Sequence, residues 1–265
     1  MTLNQSLENP PAPGNQVCKT AAALIIGDEI LSGRTADTNL NTIARFLAAL
    51  GIDLLEARTV GDREDQIIDA LNALRHAHDY VFTTGGIGPT HDDITADCVA
   101  RAFGLGIEEH PEALAILERR YGDELNAARR RMARIPDGGV LIANPVTDAP
   151  GFQVDNVFVM AGVPKIMTAM LEDVAPRLRT GAVVHARTLR VTGVGEGAVA
   201  ATLSEAARAS RDLSFGSYPF GAGTQGEIGT NLVVRGRGAD AVEAAIAALS
   251  ERLTAEGVAV ALQPA

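Results

Sequence analysis

The chain contains no tryptophan and only 4% aromatic residues, which leaves little for the base-stacking platforms of single-strand nucleic-acid binders. Cysteine is nearly absent as well. Two thiols, Cys18 and Cys98, can form neither a disulfide framework nor a four-thiolate zinc site. Cys98 falls on the apolar stripe Ile94, Cys98, Val99 and Ala102 and reads as a core residue. Positive charge is short: the formal net charge is −10, which argues against a phosphate-backbone binder, so no nucleic-acid partner is expected. Nowhere do about 18 apolar residues run together, so neither a transmembrane helix nor a membrane partner is expected. The opening stretch, MTLNQSLENPPAPGNQVCKT, lacks the basic start and apolar run of a signal peptide, and the cytoplasm is the expected compartment.

What is present is enough apolar residue, 46% of 265, to build real cores, at a length that suits two domains. The charge is unevenly placed: residues 1–179 carry 16 basic and 25 acidic side chains, residues 180–265 carry 7 and 8. Metal chemistry is therefore sought in the first part.

Pro10, Pro11, Pro13 and Gly14 predict a flexible tail over residues 1–19. Beyond it, strands are predicted at 21–26, 52–60, 80–84, 140–143 and 152–160. Helices are predicted from Asp37 to Gly51 and over 64–75, 92–103, 111–133 and 164–177. Strands alternating with helices imply an α/β domain, a mostly parallel sheet wrapped on both faces in three α/β/α layers, over residues 20–178. In such sheets ligands bind beyond the carboxyl ends of the strands, which places the loops 27–34, 61–65 and 85–93 on one rim. From 184 to 265 the order strand, helix, strand, strand, helix, strand predicts a small α+β domain of βαββαβ type. Residues 216–229 read as a long hairpin connection or a flap.

The strongest constellation is Thr83-Thr84-Gly85-Gly86-Ile87-Gly88-Pro89-Thr90-His91-Asp92-Asp93. Three glycines between a strand and a helix let the backbone approach a ligand and turn N–H groups toward an anion, with Thr84 and Thr90 adding hydroxyls. The spacing is neither the dinucleotide fingerprint nor a P-loop. A local alternative is a capping box, with Thr90 as N-cap and Asp93 in place of the usual Glu. Two carboxylates beside an anion loop repel a bare phosphate, and a divalent cation such as Mg²⁺ or Mn²⁺ resolves that conflict. The first loop adds Asp28, Glu29 and Arg34, and the second adds Asp62, which could equally cap the following helix. Asn39 could reach the same rim or equally be an exposed Asn in the first turn of its helix. Arg119, Arg120, Arg129, Arg130, Arg131 and Arg134 read as a solvated basic face or as steering for an anionic substrate.

Several of these residues form a pattern with precedent. Gly27-Asp28-Glu29-Ile30-Leu31 with Asp37-Thr38-Asn39, the run from Thr83 to Asp93, Asn144-Pro145 with Ala149-Pro150-Gly151-Phe152, and Gly162-Val163-Pro164 resemble the amino-terminal domain of competence/damage-inducible protein A (CinA). That domain lies within the molybdopterin-binding (MoCF-biosynthesis) superfamily. The resemblance implies a Gly-Gly loop that binds a nucleotide or pterin phosphate, and metal-dependent hydrolysis of ADP-ribose and similar nucleotide diphosphates. It also leaves open a molybdopterin-binding or adenylyl-transferring role in molybdenum-cofactor biosynthesis, and a non-catalytic nucleotide- or pterin-binding module. The expected ligand contacts are Gly27, Glu29, Asn39, Thr84, Gly85, Gly86, Gly88, Pro89, Thr90, Asn144 and Gly151. Asp93, Asp92 and Asp62 are the catalytic candidates. Asp28, Glu29, Asp92 and Asp93 are the candidates for holding Mg²⁺, Mn²⁺ or Co²⁺. Molybdopterin is the alternative ligand, and a homo-oligomer is the expected assembly. The amidohydrolase portion of full-length CinA is not expected in this chain.

Overall fold

The computed structural model describes residues 18–221 and 227–264. The expected tail lies outside the described residues except at Cys18 and Lys19, as does the centre of the 216–229 connection. The chain divides into two compact units, the first ending at Gly181 and the second beginning at Ala182.

The first unit opens with β1 (Thr20–Ile26), a short α1 (Asp28–Leu31), α2 (Asn39–Ala49), β2 (Asp53–Val60), α3 (Glu64–Ala77) and β3 (Tyr80–Thr84). It continues with α4 (Thr95–Phe103), β4 (Ile107–Glu109), α5 (Pro111–Tyr121), α6 (Ala127–Arg130), β5 (Arg134–Pro136), β6 (Val140–Ile142), β7 (Gly151–Val154), β8 (Val157–Met160) and α7 (Pro164–Val174). Six strands form one sheet in the order β2-β1-β3-β8-β7-β6. The neighbours from β2 to β8 run parallel, and β7 and β6 close the edge antiparallel.

β1 is apolar and buried from Ala21 to Ile26 because both of its faces are covered. Ala22, Leu24 and Ile26 pack with Ile67, Leu71 and Leu74 of α3 and with Cys98 and Val99 of α4. Ala21 on the opposite face joins Ile43 and Leu47 of α2, Met167 and Met170 of α7, and the stacked rings of Phe82 and Phe158, 5.2 Å apart. Two cores on two faces are what make the three layers. The mostly parallel α/β sheet expected of this part is the architecture found.

Four local expectations are corrected. The strand read over 152–160 is two, because Asp155 (φ 49°) and Asn156 turn the chain between β7 and β8. Asn156 anchors that turn by donating to the carbonyls of Arg75 and His78 at 2.9 and 3.0 Å. The helix read over 111–133 breaks after Tyr121, where Gly122 takes φ 50°, and resumes as α6 under an Asn126 cap that accepts from the Arg129 N–H. The helix read from 92 starts at Thr95. The β4–β5 pair was not anticipated; three-residue strands leave too little alternation to be read.

The second unit follows the predicted order: β9 (His185–Thr192), α8 (Glu196–Ala209), β10 (Ser214–Phe220), β11 (Gly229–Gly236), α9 (Ala239–Ala255) and β12 (Ala259–Leu262). Its antiparallel sheet, ordered β10-β11-β9-β12, buries Leu189, Val191, Leu232 and Val234 against Val199 of α8 and Val242, Ile246, Leu249 and Leu253 of α9.

Candidate functional site

The strand order changes direction at β1, whose neighbours β2 and β3 lie on opposite sides, so the loops leaving their carboxyl ends are adjacent. The loop after β1 is tied to the one after β2 twice. The Gly27 N–H donates to the Val60 carbonyl at 3.1 Å, and the Asp28 N–H donates to Asp62 Oδ2 at 2.9 Å. The loop after β3 comes close to both: a Cβ on Gly85 would stand 2.1 Å from the Ile26 carbonyl oxygen. Gly85 and Gly86 also hold φ of 105° and 66°, which side chains disfavour. Thr95, fully buried, fixes this turn by donating its hydroxyl to the Gly85 carbonyl (2.9 Å) and its N–H to the Gly86 carbonyl (3.0 Å).

A cavity of about 560 Å³ opens beside this loop. One wall is Gly85, Gly86, Ile87, Gly88 and Pro89. The N–H groups of Gly86, Ile87 and Gly88 have no protein acceptor among the described residues, so they remain available to an anion. Ala161, Gly162, Val163, Pro164 and Ile166, which include the first turn of α7, supply a largely apolar wall. Tyr121, Arg129, Met132, Asn144, Thr147 and Ala149 complete it, and Glu29 and Asp93 bring carboxylates to its edge.

Each of the three rim loops uses a glycine to make room for an acid. A Cβ at Gly27 would fall 2.6 Å from the Glu29 carboxylate, one at Gly61 2.4 Å from that of Asp28, and one at Gly88 2.7 Å from that of Asp93. The carboxylates therefore lie over bare backbone. Asp93 is held there by the Thr90 N–H (2.7 Å) and hydroxyl (2.5 Å), both donating to its Oδ2. This corrects the capping-box reading: the bonds close a local turn, and α4 begins two residues later at Thr95. Asp62 is partly buried, and desolvation raises its carboxyl above the usual value, against the lowering pull of the Asp28 N–H. The neighbouring charges of Glu29, Asp28 and Asp92 raise it further, so these four acids share one field.

Of the residues expected in the site, Glu29, Gly85, Gly86, Gly88, Pro89, Asp93 and Asn144 line the cavity. Gly27, Asp28, Asn39, Asp62, Thr84, Thr90, Asp92 and Gly151 do not. Asn39 is buried and donates from Nδ2 to the Gly162 carbonyl at 2.7 Å, so it positions the opposite wall. Its Oδ1, like the buried Thr84 hydroxyl, has no partner among the described residues. Asn144 spends both ends of its amide on its own loop, donating to Thr147 Oγ1 and the Ala149 carbonyl and accepting from the Val146 and Thr147 N–H groups. Gly151 serves the sheet, since a Cβ there would stand 2.3 Å from the Val159 carbonyl oxygen. His91 and Asp92 are exposed. Among the described residues, no three His, Cys, Asp or Glu side chains are grouped to hold a metal, so the expected ligand set of Asp28, Glu29, Asp92 and Asp93 is not assembled as one cluster.

Sequence reasoning missed Thr35, Tyr121, Met132 and Thr147, and it singled out Arg129 only as one of a basic row, solvated or steering an anionic substrate. The signal that could have found Tyr121 and Arg129 is Gly122, a helix breaker between them that folds the chain back. Of the other arginines, Arg120 pairs with Asp148, Arg130 with Glu109 and Arg134 with Asp97, while Arg131 Nη2 donates to the Asp93 carbonyl at 3.2 Å.

Residues 22–180 match the family described as "Probable molybdopterin binding domain", and residues 183–261 match "FAD synthase, middle domain". A CinA-like protein of Gemmatimonas aurantiaca is 37% identical over 73% of this chain and 49% of its own length. One of Citrifermentans bemidjiense is 44% identical over 70% of this chain and 47% of its own. The chain thus spans about half the length of these CinA-like relatives. A protein of Caldivirga maquilingensis is 35% identical with 82% of its length covered. The crystal structure of CinA from Thermoplasma acidophilum, itself of unknown function, superposes with a TM-score of 0.58 and 36% identity over 60% of this chain and 98% of that one.

Proposed function

This chain belongs to the family of probable molybdopterin-binding domains and is CinA-like over most of its length, and from that premise we propose that it is a divalent-metal-dependent pyrophosphatase of nucleotide diphosphates such as ADP-ribose. The observation that carries the reading is the placing of Glu29 and Asp93 on the wall of the same cavity as the free N–H groups of Gly86, Ile87 and Gly88. The N–H groups bind a phosphate oxygen, and the two carboxylates, facing that anion, need a cation between them. Carboxylate oxygens suit Mg²⁺, Mn²⁺ or Co²⁺, and the Asp62 carboxyl, raised first by burial and then by the charges of Glu29, Asp28 and Asp92, lies in a field that a cation would relieve. Mg²⁺ is commonly held by one or two carboxylates completed by substrate phosphates, which fits acids not grouped in threes. Glu29 and Asp93 would hold the ion, with Asp28, Asp62 and Asp92 adding field; when bound it neutralises phosphate charge and polarises the phosphorus. Water would then attack one phosphorus as the P–O–P bridge breaks, giving two phosphate monoesters; one of the water's two protons goes to the former bridging oxygen and the other is left on, or lost to solvent from, the newly formed P–OH.

The test is incubation with ADP-ribose and each of Mg²⁺, Mn²⁺ and Co²⁺, with products separated chromatographically. AMP and ribose 5-phosphate in equal amounts, and none in EDTA, are the expected result. Saturable binding of nucleotide or pterin without turnover would overturn hydrolysis. It would favour the second reading, a molybdopterin-binding or adenylyl-transferring protein or a non-catalytic module, which the match to the family described as "Probable molybdopterin binding domain" supports.

A further inference from the structure

The cavity lining contains one basic side chain among the described residues, Arg129, against two acids, Glu29 and Asp93. Its guanidinium carbon lies 4.4 Å from the centre of the Tyr121 ring, within cation–π range. Nη1 is committed to the segment that breaks the helix, donating to the Glu124 carbonyl at 2.5 Å and to Oε2 of the Glu124 carboxylate at 3.2 Å. Nε and Nη2 have no acceptor among the described residues. A guanidinium held against a ring, with one nitrogen anchored and its Nε–Nη2 edge unpaired among the described residues, is arranged for bidentate recognition of an oxyanion. Arg130 and Arg134, by contrast, already spend that geometry on Glu109 and Asp97.

We infer that Arg129 is the specificity-determining residue that takes the second phosphate of a diphosphate ligand through its Nε–Nη2 edge, while the glycine-loop N–H groups take the first. One phosphate can be served by the N–H groups alone. Two phosphates beside two carboxylates need a fixed cation as well, and Arg129 is the side chain in the lining that supplies it. The inference rests on the nucleotide-diphosphate reading of this cavity and deepens it, because it makes the number of phosphates the property selected.

The experiment is calorimetric titration of ADP and of AMP into the full chain with Ca²⁺ in place of Mg²⁺, for the native protein, Arg129→Gln and Arg129→Lys. The native protein is expected to bind ADP roughly tenfold or more tightly than AMP, the scale of a hydrogen-bonded charge pair. Arg129→Gln should bring that ratio to about one while AMP affinity stays within about threefold. Arg129→Lys, which keeps the charge without the fork, should give an intermediate ratio; it carries the test should the Gln variant fail to fold. A native protein without preference, or a Gln variant that retains it, overturns the inference. The hydrolytic reading fails separately: a ratio that collapses in Arg129→Gln, with ADP-ribose uncleaved under every metal, leaves Arg129 as a phosphate counter in a binding protein. Cleavage of ADP-ribose with an unchanged ratio does the reverse.

Discussion

At the residue scale, Asp93 and Asp62 separate two duties that carboxylates share at this rim. Asp93 Oδ2 accepts from the Thr90 N–H and hydroxyl, and the amide oxygen of Asn can accept both. Asp93→Asn should therefore cost about 1 kcal/mol or less and leave the melting temperature nearly unchanged. It removes a full charge from the cavity edge, so turnover of ADP-ribose should drop about a hundredfold or more, with partial recovery at high metal concentration. A variant that melts early but keeps its specific activity would return Asp93 to a purely structural role. Asp62 is the opposite case. Its folded carboxyl is raised by burial and by Glu29, Asp28 and Asp92, so ionising it opposes folding at neutral pH. An acid with a raised folded value favours the folded state fully only below its unfolded value, and that gain is lost as pH rises through the folded value. Asp62→Asn, which can still accept from the Asp28 N–H, should raise the melting temperature at pH 7, with the difference vanishing as pH falls below about 4. Equal melting shifts at both pH values would show that charge is not the cause. Of the acids placed on the rim loops from the sequence, Glu29 and Asp93 line the cavity while Asp28, Asp62 and Asp92 do not; what was legible was that the sheet's topology brings those loops together. Asn39 and Asn144 were named from the sequence as ligand contacts; only the fold shows that both are buried, that Asn39 braces Gly162 and that Asn144 braces Thr147 and Ala149.

At the element scale, the glycine-rich turn divides into a part that builds the fold and a part that admits a carboxylate. A methyl at Gly85 meets backbone, 2.1 Å from the Ile26 carbonyl oxygen, at φ 105°, so the ends of β1 and β3 would have to separate. A methyl at Gly88 meets only the Asp93 carboxylate, 2.7 Å away on a side chain that can turn aside. Gly85→Ala should destabilise the protein by roughly 1–3 kcal/mol, as a strained backbone position does, read as a lower urea midpoint. Gly88→Ala should hold its midpoint within about 0.5 kcal/mol and yet lose activity by displacing Asp93. If both lose stability alike, the turn is one packing unit and the distinction fails. The sequence pattern showed the three glycines as a group and could not tell these duties apart, since the difference lies in what each Cβ would touch. The same blindness to partners explains the helix read over 111–133: its apolar spacing is continuous enough, but Gly122 redirects the chain and brings Tyr121 and Arg129 to the cavity.

At the scale of the molecule, the two units were readable for different reasons. The first has a strand apolar on both faces at its centre and acid-bearing loops after three parallel strands. The second is readable because turn residues punctuate it at every change of element, such as Gly193 before α8, Gly236 and Gly238 before α9, and Gly257 before β12. Every residue lining the cavity precedes Gly181, and both cores that flank the six-stranded sheet are built from residues of that same unit. A domain of this size buries about 70% of the surface of its unfolded chain, enough to fold alone. The segment 18–181, expressed by itself, should therefore unfold in one cooperative transition and bind ADP within about threefold of the full chain, a difference of less than 1 kcal/mol. The readouts are thermal unfolding by circular dichroism and the same calorimetric titration. A segment that folds but binds ADP far more weakly would mean that residues after 181 complete the ligand site. A segment that does not fold would mean that the six-stranded unit depends on the second one for stability, despite carrying both of its own cores.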